Sequence, residues 1–337
     1  MVKVAQLKET KKGFSLTHFA MAPLPPESIV DGALMNPGAI VDTVRGLVSG
    51  NRIKNKEVAV SISGHSVIIK KISLPQMTEE ELAESIQWEA EQYIPFDIND
   101  VNIDVQVLNP HTEGGHMDVL LVAAKSDMVN DYAQVVRDAG LMPLVVDVDA
   151  FCLQNMFEMA YGYVPGEVIA LINIGANLIN INVVNSGMTS FTRDIALGGN
   201  QLTDEIQKQL NVSYEEAEAY KLGGEPGVDV DTLIPQEVER VIQQVAEQIA
   251  LEVQRSLDFY STTSAEEGIS KIFIMGGTSK ITTVLKVLEQ RTGIPVERVN
   301  PFKNLEIDGA TFSEDFLREA SSMAAVAVGL GYRGADL

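Results

Sequence analysis

The sequence predicts an α/β protein with two domains. Its 337 residues exceed the size of one average domain of roughly 150 residues. Segments with strand-like alternation and segments with helical spacing follow one another along the chain, which is typical of α/β layers. The strands at 178–195 also resemble those at 2–22, so the two halves form a loose internal repeat.

The first half begins with two predicted strands, Val2–Leu7 and Phe14–Ala22. Asn36 is typical of a helix N-cap and Pro37 of the first helical position, and an apolar face follows them. A short buried strand is predicted at Val58–Ile62, where apolar residues run up to a Ser-Gly turn.

The segment 67–140 has its own order of strand, helix, strand, strand and helix, and it interrupts the first half. Thr78 followed by Glu81 is a capping box that predicts the first of these helices. We expect Ile86 and Trp88 to turn inward from a solvated acidic face. Ser126 is expected to cap the second helix. The predicted strands are Val67–Leu74, Val101–Leu108 and Val119–Ala124.

The second half restarts the strand pattern at Val168, after a strand at Pro143–Asp147 and a helix that Asp149 begins. The further predicted elements are a strand at Met188–Ile195, helices at Leu202–Leu210 and Tyr214–Lys221, a loop at Gly223–Asp231, a long helix at Pro235–Tyr260, a buried strand at Ile272–Met275, a last strand at Ile294–Val299 and a helix at Ala320–Leu330.

Composition narrows the class of function. The chain carries 47 acidic and 25 basic residues, a net charge of −22, which disfavours nonspecific binding to nucleic acid or anionic lipid. Cys152 is the single cysteine, so no intramolecular disulfide forms, and its apolar neighbours favour a buried structural thiol. No apolar run is long enough for a transmembrane helix, and no signal peptide is recognised. We therefore expect a cytoplasmic protein that reaches a membrane only through partners.

Three glycine-containing turns follow strands in the second half. They are Asn173–Asn177, Gly198–Asn200 and Gly276–Lys280. Glycine lets backbone N–H groups approach a phosphate, and a helix N-terminus favours an anion. Close packing of the chain explains any one of these turns equally well. Together they favour recognition of a phosphate or a ribose.

These motifs carry a family resemblance. The second half resembles an actin-like ATPase fold in the order of its motifs. These are the Asn173-Ile174-Gly175-Ala176 turn, paired strands, the later glycine turns, and a helix with Glu218 and Lys221. Ser73-Leu74-Pro75 and the run Glu89–Phe96 resemble the PilM family of type IV pilus assembly proteins, itself similar to the cell-division protein FtsA. The resemblance spans essentially the whole chain and implies two actin-like domains with an FtsA-type inserted subdomain (1C, SHS2-like). The implied division is a first domain (1A) at 1–66, 141–165 and 316–337, the inserted subdomain (1C) at 67–140, a second domain (2A) at 166–200 and 266–315, and its outer subdomain (2B) at 201–265.

The resemblance also implies a cleft for ATP with Mg²⁺. Asp149 falls where relatives place an acid that orients the attacking water, and the alternative is an N-cap for its own helix. Asn173 stands where relatives carry Asp, and it lacks the charge that would hold a Mg²⁺-bound water. The implied nucleotide-binding residues are Asn173, Gly175, Ala176, Asn177, Gly198, Gly199, Glu218, Lys221, Gly276, Gly277 and Ser279.

The first phosphate loop is the largest departure from the family. Relatives carry a Gly-Ile-Asp-Ile-Gly-Ser-Ser strand and turn directly before the segment that matches Val2–Leu7, and here Met1 stands in that place. Either the sequence is truncated or the loop has been lost. In both cases we expect weak nucleotide binding and little hydrolysis for the chain as written. The four histidines lack zinc-site spacing, and no protein metal site is predicted.

The function that the resemblance implies is a scaffold. The implied partner is the N-terminal cytoplasmic peptide of PilN, an inner-membrane protein, together with other inner-membrane and motor components of the pilus. The peptide is expected between the inserted subdomain and the first domain, and the candidate groove residues are Trp88, Tyr93, Ile94 and Phe96. The core of the insert is the alternative for Trp88. An active ATPase that gates pilus assembly, or a filament-forming FtsA-like protein, remains an alternative function.

Overall fold

The computed structural model describes residues 1–112, 114–223, 236–264 and 268–333. Strands and helices alternate as the sequence predicts. The strands are β1 (Val2–Thr10), β2 (Gly13–Ala22), β3 (Ile29–Val30), β4 (Ala33–Leu34), β5 (Glu57–Ile62), β6 (Val67–Pro75), β7 (Val101–Thr112), β8 (His116–Lys125), β9 (Met142–Val148), β10 (Val168–Ile174), β11 (Ile179–Asn185), β12 (Met188–Ile195), β13 (Lys271–Met275), β14 (Val296–Arg298) and β15 (Leu305–Ile307). The helices are α1 (Pro37–Gly50), α2 (Glu79–Glu91), α3 (Ser126–Asp138), α4 (Asp149–Tyr161), α5 (Gly199–Leu210), α6 (Tyr214–Lys221), α7 (Gln236–Thr263), α8 (Thr282–Thr292) and α9 (Glu314–Arg333). Among these described helices, none combines the length and apolarity needed to cross a bilayer.

The second half is built on one five-stranded sheet in the order β12-β11-β10-β13-β14. The central strand β10 runs antiparallel to β11 and parallel to β13. Side chains from α5 to α8 cover one face, and side chains from α4 and α9 cover the other. Burial on both faces explains why β10 reads as an apolar run instead of an alternating strand.

The described strands of the first half repeat part of this arrangement. Its strands form the order β15-β2-β1 and, separately, the parallel pair β5-β9. The antiparallel pair β1-β2 corresponds to β11-β12, and β5-β9 corresponds to β13-β14. Within the described residues, no strand pairs with the free edges of β1 and β5, and a cavity lies between them.

The segment that interrupts the first half has a core of its own. The strands β6, β8 and β7 form an antiparallel sheet, and α2 packs on one face of it through Leu82 and Ile86. The helix α3 meets the insert strands only at its start, where Met128 packs near Ala124 and Val67. Farther along α3, Val136 packs with Val48 of α1 and with Leu141, beside apolar residues of β5 and β9. The contacts therefore group α3 with α1, β5 and β9, whereas the predicted segment 67–140 includes it in the insert.

Several sequence predictions differ from the structure. Trp88 is 76% exposed while Ile86 is 8% exposed, so the prediction that both turn inward is wrong for Trp88. Two residues correspond to about 200° around a helix, which puts the two side chains on opposite faces. Ser126 is the first helical residue and Lys125 is the N-cap. The strand at 296–298 is followed by β15, which pairs in parallel with β2 of the first half. Pro235 and most of the predicted loop 223–231 lie outside the described residues.

Candidate functional site

A cavity of about 1300 Å³ extends from the gap between β1 and β5 into the cleft between the two halves. Ligand pockets usually measure about 300–1,000 Å³, so this space can hold a nucleotide-sized molecule. Asp149 and eight of the predicted nucleotide-binding residues line it: Asn173, Gly175, Ala176, Gly199, Glu218, Lys221, Gly276 and Gly277. The other three predicted residues, Asn177, Gly198 and Ser279, are not in this lining.

The glycine turns pack directly on one another. The Gly199 N–H donates to the carbonyl of Gly175 (2.9 Å), and the Asn200 N–H donates to that of Ala176 (2.8 Å). A Cβ on Gly198 would lie 2.5 Å from the Ala176 oxygen, which is closer than a side chain tolerates. Close approach of two backbones thus explains the Gly198-Gly199 pair by itself.

This packing occupies donors that a phosphate would need. The Gly175 N–H donates to the Leu178 carbonyl across the hairpin turn (2.9 Å). The N–H groups of Gly199 and Asn200, at the start of α5, are engaged by the neighbouring turn. The Asn177 side-chain oxygen accepts from the amide of Asn200 (2.6 Å). The α5 N-terminus therefore offers an anion fewer free donors than the turn pattern predicts.

The third turn, Gly276–Lys280, is stabilised by a hydrogen bond within the turn. Gly276 has a φ of +91°, and a Cβ there would collide with the carbonyl of Ile174. The Ser279 hydroxyl is fully buried and donates to the Gly276 carbonyl (2.7 Å), so it stabilises the turn instead of facing the cavity. Thr278, which sequence reasoning missed, donates to the Gly175 carbonyl (2.9 Å) and ties this turn to the first one.

Glu218 and Lys221 form a compact charged group at one wall of the cavity. The Lys221 ammonium pairs with the Glu218 carboxylate and donates to the Thr203 hydroxyl (2.9 Å). The Thr203 hydroxyl in turn donates to Glu218. Their spacing of three residues on α6 brings both side chains to the same face. The pair is electrically balanced and offers hydrogen-bonding groups to a ligand rather than net charge.

Asp149 lies at the start of α4 and faces the cavity. Its carboxylate accepts a hydrogen bond from the Ser61 hydroxyl (2.5 Å), and Val148 is the N-cap without a side-chain cap bond. The alternative that Asp149 caps its own helix is therefore wrong. Burial raises the pKa of Asp149, hydrogen bonds from Ser61 and Ser63 lower it, and the nearby charges act in both directions.

Lys3 is a site residue that sequence reasoning missed. It lies on β1, lines the cavity, and interacts electrostatically with Asp149. Burial lowers the pKa of the Lys3 ammonium, and the charge of Asp149 opposes that shift. The signal was present in the sequence, because Lys3 interrupts the apolar start of a strand that is half-buried on both faces.

A chain of side-chain hydrogen bonds leads from the cavity to the inserted segment. The Asn173 amide donates to Asn180 (2.8 Å), and the Asn180 amide donates to Asp194 (2.8 Å). The second oxygen of Asp194 accepts the backbone N–H of Gly64, just before β6 begins (2.6 Å). Burial raises the pKa of Asp194, while the bonds from Asn180 and Gly64 lower it.

The predicted groove residues separate into three environments. Ile94 is 6% exposed and belongs to the core of the insert, which contradicts its place among peptide-contacting side chains. Tyr93 and Phe96 are half-buried against that core. The Lys125 ammonium lies 4.6 Å from the centre of the Phe96 ring, at the junction of β8 and α3. Trp88 points into solvent.

Comparison with known proteins adds to this geometry. Residues 1–335 match the family model described as type IV pilus assembly protein PilM. Among solved structures, the chain is similar to the PilM-PilN type IV pilus biogenesis complex, with a TM-score of 0.85 and 27% identity, over 98% of this chain and 95% of that chain.

The second similarity is more distant. The ethanolamine utilization protein EutJ from Carboxydothermus hydrogenoformans aligns with a TM-score of 0.55 and 15% identity, over 98% of this chain and 89% of that chain. That likeness concerns the fold alone. Both similarities extend over 98% of this chain and agree with the predicted α/β fold.

Proposed function

Because the chain belongs to the PilM family of type IV pilus assembly proteins, we propose that it is a scaffold that binds the N-terminal cytoplasmic peptide of PilN. The observation that carries the proposal is the similarity, over 98% of the chain, to a structure whose description names a PilM-PilN complex. In this proposal the protein works at the cytoplasmic face of the inner membrane, held there by PilN, and links PilN to the pilus motor.

The junction between the inserted segment and the first half is the proposed peptide site. Phe96 is half-buried there beside Lys125, the last residue of β8. Tyr93 is also half-buried against the insert core, and its carbonyl accepts a hydrogen bond from the Lys70 ammonium (3.0 Å). Half-buried aromatic rings supply apolar contact area with little loss of side-chain entropy, which suits an extended peptide.

Fluorescence anisotropy with a labelled PilN N-terminal peptide tests this site. We expect Tyr93→Ala and Phe96→Ala each to weaken binding by about tenfold, since buried aromatic anchors dominate such interfaces. Phe259→Ala removes an exposed aromatic ring of α7 and serves as the matched control with unchanged affinity. Unchanged affinity in both groove variants would place the peptide elsewhere.

For the cleft we propose weak nucleotide binding with little hydrolysis. Glu218, Lys221 and the Gly276 turn fit the nucleoside end of ATP. The phosphate end fits poorly, because the N–H groups at the start of α5 are already engaged. Mg²⁺ is usually held by one or two carboxylates with phosphate oxygens, and Asn173 supplies no charge where the family carries an acid.

Calorimetry with Mg-ATP tests the cleft proposal. We expect affinity weaker than micromolar for the chain as written, and a further loss in Lys221→Ala. Micromolar affinity would favour the alternative of an active ATPase that gates assembly.

A further inference from the structure

A basic pocket lies at one end of the first half, where α1 ends and β5 begins. No acidic residue occurs from 43 to 56, although the whole chain has a net charge of −22. The pocket encloses about 300 Å³. Its rim carries four cations, and its walls include apolar side chains: Arg45, Arg52, Lys54 and Lys56, with Val48, Ile53 and Ala139.

Most of these cations have no acidic partner within the described part of the chain. Arg45 pairs with Asp42 (3.3 Å) and donates to the Asp138 carbonyl (2.7 Å). No ion pair of the described residues includes Arg52, Lys54 or Lys56, and all three are exposed. Arg52 also has a φ of +55°, an unusual conformation for a bulky residue. The rim thus presents positive charge around an apolar floor.

The helix α2 has the complementary surface. Trp88 is the most exposed large apolar side chain described, at 76%. Glu84 and Glu91 lie four residues before and three residues after it, so all three share one face of the helix. Both glutamates are exposed, as are the three at the start of the helix. This face is an aromatic knob flanked by carboxylates.

The two surfaces lie at opposite ends of the first half. The strand β5 starts at Glu57 beside the pocket and ends at Ile62, where the chain enters the inserted segment. Six residues of strand span about 20 Å. The helix α3 returns from the insert toward Ala139 at the pocket. A copy of the chain therefore cannot place its own α2 in its own pocket.

We propose that α2 of one copy docks in the basic pocket of a second copy. Trp88 enters the pocket against Val48 and Ile53, and a guanidinium over its ring adds a cation–π contact. Glu84 and Glu91 face the cations of the rim. At physiological ionic strength the Debye length is about 8 Å, so contact pairs act strongly while the repulsion of the two acidic chains is largely screened.

Such an interface joins different surfaces of the two copies. A contact of that type leaves one pocket and one helix unused at the ends of the assembly, so further copies can add head to tail. The proposal goes beyond peptide binding and removes Trp88 from the predicted peptide groove. It does not depend on the pilus partner, because it rests on charge and shape in this chain alone.

Sedimentation velocity of the full chain at physiological ionic strength tests the proposal. We expect the weight-average sedimentation coefficient to rise with protein concentration. Lys54→Glu with Lys56→Glu should weaken self-association by about tenfold or more, and so should Glu84→Lys with Glu91→Lys. Trp88→Ala should weaken it by about tenfold.

Mixing the two charge-reversed proteins is the most discriminating experiment. The pocket variant sets two new carboxylates on the rim against an acidic helix, and the helix variant sets two new ammonium groups against the unchanged cationic rim. The mixture pairs the new carboxylates with the new ammonium groups, so association should return on mixing. Each Glu→Lys change adds two positive charges, so the helix variant has a net charge of −18 in place of −22 and yet should associate less. Lys286→Glu with Arg291→Glu on α8 matches the charge change of the pocket variant and should leave association intact.

A wild-type chain that stays monomeric at every concentration would overturn the proposal. So would a mixture of the reversed variants that remains monomeric, or a loss in the α8 control equal to that of the pocket variant. Peptide anisotropy on the same proteins keeps this result separate from the proposed PilN site, because Tyr93 and Phe96 are unchanged in all of them.

Discussion

Asp194→Asn isolates the hydrogen-bond chain between the cavity and the inserted segment. The Asp194 carboxylate accepts two bonds, from the Gly64 N–H (2.6 Å) and from the Asn180 amide (2.8 Å). An amide at this position keeps one acceptor oxygen and presents an NH₂ group in the other direction. One of the two donors then faces another donor, and Asn180 can no longer be oriented toward Asn173 in the same way.

The expected cost is that of one buried donor left without a partner, about 1–3 kcal/mol. The pH dependence has a defined sign. Burial raises the pKa of Asp194 in the folded protein, so the folded state holds the proton more tightly than the unfolded chain. The contribution of this group to stability is therefore present at low pH and is lost as pH rises through the folded pKa. The loss caused by the variant should be larger at acid pH than at alkaline pH.

Urea unfolding and amide hydrogen exchange measure this effect. We expect a lower urea midpoint and faster exchange at Gly64, whose N–H loses its acceptor in one of the two amide orientations. Asp258→Asn changes the same groups on an exposed face of α7 and is the control. Unchanged stability together with unchanged exchange at Gly64 would refute the reasoning.

Three further changes test the packing. Gly276→Ala should destabilise the protein by about 1–3 kcal/mol, because Gly276 has a positive φ and a Cβ there collides with the Ile174 carbonyl. Gly46→Ala, with open space around it, should stabilise α1 by about 0.5–1 kcal/mol. Thermal unfolding compares the two variants. Asp149→Asn should flatten the pH dependence of the urea midpoint. Burial raises the pKa of Asp149, so the stabilisation from this acid is lost as pH rises through its pKa in the folded protein. An unaltered slope of urea midpoint against pH would contradict this. Thr78→Ala should lower the free energy of unfolding by about 1 kcal/mol, because it removes the capping box with Glu81. Amide hydrogen exchange in the first turn of α2 should become faster. Unchanged exchange there would argue against the cap.

Local signals predicted much of the fold. The Asn36 side chain accepts from the Ala39 N–H at the start of α1, with Pro37 at the first helical position. The capping box of Thr78 and Glu81 is formed. These signals depend only on neighbouring residues, so the sequence shows them directly.

Long-range pairings were not visible in the same way. The strand β15 has three residues and becomes a strand only by pairing with Phe14 to Leu16 of β2, far away in sequence. Asp149 looked like a cap because it precedes a helix, but its carboxylate bonds to Ser61, which β5 brings into reach from 88 positions away.

The candidate site shows the same division. The three glycine turns were predicted to serve one site, and each contributes residues to the same cavity, although Asn177, Gly198 and Ser279 lie outside its lining. Their N–H groups were expected to be available, yet Gly199 and Asn200 donate to carbonyls of the turn at 175–176. Which donors remain for a ligand depends on how turns pack across the cleft, and no local pattern contains that information.

Calorimetric titration of the full chain with the PilN N-terminal peptide tests the central proposal most directly. The scaffold account predicts saturable binding of one peptide per chain, weakened about tenfold by Phe96→Ala and unchanged by Trp88→Ala. Absence of binding heat, with anisotropy also unchanged at high protein concentration, would contradict it.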